Sequence, residues 1–230
     1  MKNDSEADVR TDTAIKISAL FFASIMFLAF TTDPIATGPK VGDRAPALDG
    51  MMYNGSTWTT FDMNDFLTPE WTKGSNVTGE WLLIEFMDTD CYYCMQASFE
   101  VRNNSNYFMK FDKKDDGTPA WQGPTVNFLA SATQLDIPGH ETSREEIEAF
   151  RNREGGYECA RYSCGDQQRL GPAHRFAYID DIDQDNMKKW KIPGTPAYFL
   201  IQPDGIVAWS SAENQNEKVS DAIIRLTLEE

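Results

Sequence analysis

The stretch Trp81-Leu82-Leu83-Ile84-Glu85-Phe86-Met87, followed after Asp88-Thr89-Asp90 by Cys91-Tyr92-Tyr93-Cys94, decides the fold. An almost unbroken apolar run of this length reads as a central strand covered on both faces. Beyond the cysteines, Met95–Phe111 has partial helical spacing. Strand, short turn and helix therefore follow one another, with both sulfurs on the first turn of the helix. A helix N-terminus offers unpaired N–H groups and a partial positive charge, which favour a thiolate. The thiolate is the form that attacks a disulfide, so the spacing points to dithiol–disulfide chemistry. Zinc sites usually combine two such pairs, or one pair with two closely spaced histidines. Here Cys159 and Cys164 lie far downstream and the two histidines, His140 and His174, are isolated, so no metal is expected.

Working outward, Ala47–Tyr53 and Thr57–Phe61 flank Asn54-Gly55, a strong hairpin signal. Pro124–Ser131 reads as a strand. Ser143–Arg153 reads as a helix with Ile147 and Phe150 on one face and a capping box from Ser143 to Glu146. Arg175–Ile179 is expected as a strand and Asp183–Trp190 as a short helix. Pro196–Gln202 and Ile206–Ser210 are expected as strands around Pro203-Asp204-Gly205. Val219, Ile223 and Leu226 mark a final amphipathic helix. Alternating strands and helices with a closing hairpin predict an α/β domain with a mixed sheet.

The N-terminus bears on location. Residues 14–30 are apolar except for Lys16, a run just long enough to cross a hydrocarbon core of about 30 Å. Lys2, Arg10 and Lys16 precede its uncharged part, which orients the N-terminus toward the cytoplasm. The expectation is a cytoplasmic tail over 1–13, a transmembrane signal anchor over 14–32, a linker over 33–45 and an extracytoplasmic domain over 46–230. Four cysteines suit an oxidising compartment. A net charge of −15 argues against nucleic acid and anionic lipid as partners.

The order of elements resembles the thioredoxin fold, in particular the membrane-tethered thioredoxin-like branch of TlpA and ResA type. Val41-Gly-Asp-Arg-Ala-Pro46 with the hairpin that follows is similar to that branch's N-terminal extension. Trp81–Cys94 resembles its active site, Ile192-Pro-Gly-Thr-Pro-Ala-Tyr-Phe-Leu200 the cis-proline loop, and Gln202–Val207 the next hairpin. An insertion near 155–173 has no counterpart in the pattern. The resemblance implies that Cys91 is the nucleophile and Cys94 the resolving thiol. It implies that Pro196 is cis and that Thr195 and Pro196 offer a backbone edge to a substrate peptide, beside Tyr92 and Tyr93. Glu85 falls where thioredoxins keep a buried acid that exchanges a proton with the resolving thiol.

Asp88 and Asp90 depart from the pattern, and their charge predicts only a mild lowering of the Cys91 pKa and hence a reductant. Cys159 and Cys164 are expected to form a local structural disulfide. The implied function is a membrane-anchored extracytoplasmic thiol–disulfide oxidoreductase. It would act on protein disulfides without a cofactor and take electrons from a donor the sequence does not name. Two alternatives share the fold. A copper chaperone of Sco type would need Cys-x-x-x-Cys with a histidine such as His174. A peroxiredoxin would need a Pro-x-x-x-Thr-x-x-Cys arrangement, whereas Thr89 is two residues before Cys91 and no proline stands ahead of it.

Overall fold

Lys16 interrupts the N-terminal apolar run, and its charge limits what the first helix can do. The computed structural model describes residues 4–31, 34–154 and 171–228, and the chain divides into two units, Met1–Ala36 and Thr37–Glu230. Helix α1 spans Asp4–Thr31, so most of the expected tail is helical too. Among the described residues no helix is long and apolar enough to cross a membrane, which leaves the expected span over 14–32 without support. Lys16 pairs with Asp12 one turn back. The uncharged remainder, Ile17–Phe30, has 14 residues. At helical rise that is about 21 Å, short of the ~30 Å core. Ile17, Leu20, Phe21 and Phe22 on this helix are all exposed.

The second unit begins earlier than the expected linker allows. Gly42 N–H donates to the Val207 carbonyl at 2.9 Å, Val207 N–H returns to Asp43 at 2.9 Å, and Ala45 N–H donates to Gly205 at 2.9 Å. Residues from Thr37 on are therefore part of the folded unit.

The hairpin β1 (Met51–Tyr53) and β2 (Trp58–Thr60) turns at Asn54-Gly55. Asn54 Oδ1 accepts from the Ser56 and Thr57 N–H groups at 2.9 and 3.1 Å, and Gly55 adopts φ +104°, which suits glycine. A single 3-10 turn, Met63–Phe66, was not signalled by the sequence pattern. There follow β3 (Trp81–Met87), α2 (Tyr92–Phe108), β4 (Val126–Thr133), α3 (Arg144–Asn152), β5 (Ala177–Asp181) and α4 (Asp185–Lys189). The domain closes with β6 (Ala197–Ile201), β7 (Val207–Ser210) and α5 (Val219–Leu228).

These strands form one mixed sheet in the order β2-β1-β5-β4-β3-β6-β7. β3, β4 and β5 run parallel, β6 is antiparallel to β3 and β7 to β6, and β1 is antiparallel to β5. All seven residues of β3 are buried, as its composition predicts for a strand with layers on both sides. Its period of two splits the core. Trp81, Leu83 and Met87 pack with Met95, Val101 and Phe108 of α2 and with Ala222 and Ile223 of α5. Leu82, Ile84 and Phe86 pack on the other face with Trp190 and Phe199. Glu85 shares the α2 face and is the one ionisable residue of the strand. Helix α3 starts as expected, with Ser143 Oγ accepting from the Glu146 N–H at 3.2 Å. Cys159 and Cys164, and with them the expected disulfide, lie outside the described residues.

Candidate active site

The end of β3 delivers the cysteines to the start of α2. Cys91 is the N-cap of that helix, and its Sγ accepts from the Cys94 N–H at 3.2 Å. A sulfur in this position satisfies an orphan helix donor and meets the positive end of the dipole. Both thiols are free and buried. The Thr195–Pro196 peptide is cis, and the Thr195 carbonyl oxygen lies 3.5 Å from Cys91 Sγ. The loop between α4 and β6 thus faces Cys91, where the resemblance puts it. Tyr92 is partly buried, whereas Tyr93 is 68 % exposed at the rim.

The two thiols are driven apart in acidity. Cys91 is lowered from 9.0 to about 6. The chief cause is a hydrogen bond from the Cys94 thiol, with the Thr195 side chain and the Cys94 N–H adding to it against desolvation. Cys94 is pushed well above 9.0, first by burial and then by the neighbouring Cys91 sulfur. One thiol is therefore a thiolate near neutral pH while the other keeps its proton.

Glu85 sits beneath them. It is 4 % exposed, and burial pushes its carboxyl from 4.5 to about 8. The Tyr198 hydroxyl opposes that rise by donating to Glu85 Oε1 at 3.1 Å, and the Cys91 sulfur adds to it. The β3–β6 register places Glu85 opposite Tyr198. The antiparallel partnership of two segments more than a hundred residues apart makes this contact, which sequence periodicity alone cannot supply.

The acids before Cys91 behave differently from the sequence expectation. Asp88 is fully buried. Its Oδ2 accepts from the Leu135 N–H at 2.8 Å and meets His140 Nδ1 at 2.8 Å, and its Oδ1 accepts from the Asp90 N–H at 2.7 Å. Asp90 Oδ2 accepts from the Glu141 N–H at 3.1 Å. With its charge so engaged, Asp88 is only the smallest opposing influence on Cys91. The lowering to about 6 is larger than the mild effect expected from two bare acids.

Asp88, Asp90 and His140 each offer one ligand atom within 4.8 Å of the others. The 2.8 Å contact of His140 Nδ1 with Asp88 makes this a histidine–carboxylate pair, since a cation between the two atoms would have to break it. His174, the histidine a copper site would need, is not in this cluster. It is buried, its Nδ1 meets the Tyr178 hydroxyl at 2.6 Å, and burial lowers its pKa to about 3. The set of residues for Sco-type copper binding is thus not assembled here.

No family model matches the sequence, and a search of curated proteins finds no match. Among solved structures, an uncharacterized conserved protein from Geobacillus kaustophilus aligns with a TM-score of 0.52 at 16% identity, over 83% of this chain and 81% of that one. A thiol:disulfide interchange protein from Bacteroides sp. aligns with a TM-score of 0.48 at 17% identity, over 84% and 91%. The reduced 2-Cys peroxiredoxin of Plasmodium vivax aligns with a TM-score of 0.47 at 14% identity, over 74% and 70%. The sheet order, the Cys91–Cys94 turn and the cis Thr195–Pro196 bond give this chain a thioredoxin-like fold.

Proposed function

We propose that the protein is a thiol–disulfide oxidoreductase that reduces disulfides of proteins outside the cytoplasm. The observation that carries this reading is the geometry of Cys91, whose Sγ caps α2 through the Cys94 N–H and faces the cis Thr195–Pro196 bond, in a site that also buries Glu85. The thiols are driven apart in acidity accordingly, Cys91 down and Cys94 up. Cys91 attacks a substrate disulfide and forms a mixed disulfide with it. Cys94 then gives its proton to Glu85 and attacks the Cys91 sulfur, releasing the reduced substrate and leaving Cys91–Cys94 oxidised. An external dithiol donor restores the starting state. Thr195 and Pro196 present the backbone edge along which an extended substrate segment pairs, with Tyr92 and Tyr93 at its side.

The direction rests on acidity. A nucleophile near 6 lies closer to thioredoxin, at about 7, than to the oxidant DsbA, at about 3.5. A more modest stabilisation of the thiolate means a less stabilised reduced form and a lower potential. An extracytoplasmic, membrane-associated location is supported by the basic residues ahead of Ile17 and by the exposed apolar side chains of α1. The uncharged part of that helix is nonetheless too short for a full span at helical rise.

Turnover of a protein disulfide with dithiothreitol as donor tests the assignment. Cys91→Ser should abolish it, and Cys94→Ser should accumulate mixed disulfides resolvable on a non-reducing gel. Normal turnover by the Cys91→Ser protein would overturn the reading.

A further inference from the structure

His140 lies fifty-one positions after Thr89 in the chain, yet it shares a cavity with the nucleophile. That cavity, of about 170 Å³, is lined by Asp90, Cys91, Thr195, Leu135, Ile137 and His140 with two tyrosines, and no lysine or arginine is among the described residues that line it. Among the walls, Leu135 and Ile137 are apolar, and Asp90 is engaged through Oδ2 by the Glu141 N–H. His140 is 7 % exposed, and its Nδ1 is held 2.8 Å from Asp88 Oδ2. This contact fixes the ring and commits Nδ1, so Nε2 is the nitrogen left for another partner. Asp88 is itself fixed by the Leu135 and Asp90 N–H groups, so the pair is rigidly mounted.

The reaction has a need that Glu85 does not meet. When Cys91 attacks one sulfur of a disulfide, the departing sulfur leaves in line on the far side. It is then about two bond lengths of ~2.05 Å from Cys91 Sγ. Cys91 has the α2 N-terminus on one side and the Thr195 carbonyl on another. The cavity opens beside Cys91 and offers room for the departing sulfur. A thiolate is a poorer leaving group the higher its pKa, so an alkyl thiolate departs faster when it is protonated as it goes.

We propose that His140, oriented by Asp88, is the general acid that protonates the departing substrate sulfur. The inference rests on the disulfide-reducing reading and deepens it. The Cys91 thiolate supplies the electron pair of the new S–S bond, and the substrate S–S bond breaks with its pair going to the distal sulfur. That sulfur takes the proton from His140 and leaves as a thiol. His140 regains a proton from solvent before the next turnover. Glu85 serves the second half of the cycle, and the two groups divide the proton transfers between them.

The test compares two leaving groups in single turnover with the dithiol form of the full chain. Glutathione disulfide releases an alkyl thiolate that benefits from a proton. A bis-nitrophenyl disulfide releases an aromatic thiolate stable without one. His140→Gln should slow the first reaction about tenfold or more and change the second by less than twofold. His140→Asn, of different length, should show the same selectivity. The aromatic reaction also reports that the nucleophile and the fold are intact. Equal slowing of both reactions, or no effect on either, would overturn the proposal. Cys91→Ala separates this failure from that of the underlying reading: persistence of either reaction in that variant would show that Cys91 is not the attacking sulfur.

Discussion

At the residue scale, the behaviour of Glu85 follows from its place on a strand that is otherwise entirely apolar. Burial raises its carboxyl to about 8, so the base form needed by Cys94 grows as pH rises through that value. Resolution of the mixed disulfide should therefore accelerate through about pH 8 in stopped-flow measurements, and Glu85→Gln should be slow throughout. Tyr198→Phe deletes the hydroxyl that holds Glu85 down, so the midpoint should move to higher pH while formation of the mixed disulfide stays unchanged. An unshifted midpoint would show that the 3.1 Å contact has no bearing on the proton. Stability moves the opposite way with pH. A carboxyl raised from 4.5 to about 8 keeps the folded state more protonated between those values, so stability falls as pH rises across them. Glu85→Gln should consequently stabilise the domain above pH 8, by up to about 5 kcal/mol, because each tenfold change in an ionisation equilibrium is worth ~1.4 kcal/mol. Thermal melts of both proteins at pH 5 and pH 9 check this.

At the level of single elements, local sequence did much of the work. Ser143 caps α3 through the Glu146 N–H, in the position its capping box predicted. Ser143→Ala should cost about 1 kcal/mol in denaturant unfolding and leave turnover alone. Helix α2 is capped in the same manner by Cys91, the proposed nucleophile. Serine is also a favourable N-cap, so Cys91→Ser should keep the helix start while removing the thiolate. Loss of activity in that variant therefore reports chemistry rather than unfolding. Elements were legible wherever a period was present. The turn at Met63–Phe66 is capped by Asp62, which accepts from the Asn64 N–H, but its four residues are too few to show a period and the pattern does not reveal it. The exact start of the folded unit was also hidden, because Gly42 and Ala45 are held by bonds to Val207 and Gly205 at the other end of the chain.

For the whole molecule, the division at Ala36 separates a helix with exposed apolar side chains from a unit that contains every residue of the candidate site. A chain of Thr37–Glu230 should fold and reduce protein disulfides at a rate within about twofold of the full chain. Only the full chain should sediment with lipid vesicles. Loss of folding in the shortened chain would show that α1 completes the core, and equal sedimentation of both would remove the support for membrane association.

The sequence by itself pointed to dithiol chemistry and determined the order of the elements. The Cys91–Cys94 spacing, the apolar strand before it and the Thr195-Pro196 loop are local patterns, and local patterns act through neighbouring backbone and periodic burial. Glu85 was legible for the same reason, as a lone acid in an apolar run. What the tertiary structure alone decided is which distant groups meet that chemistry. Tyr198 reaches Glu85 through antiparallel register, and His140 reaches Asp88 because the loop after β4 folds over the end of β3. The charge of Asp88, which sequence proximity sets against the Cys91 thiolate, is taken up by backbone donors and a histidine about fifty residues away. Electrostatics depends on distance and burial in space, and neither is written in the spacing along the chain.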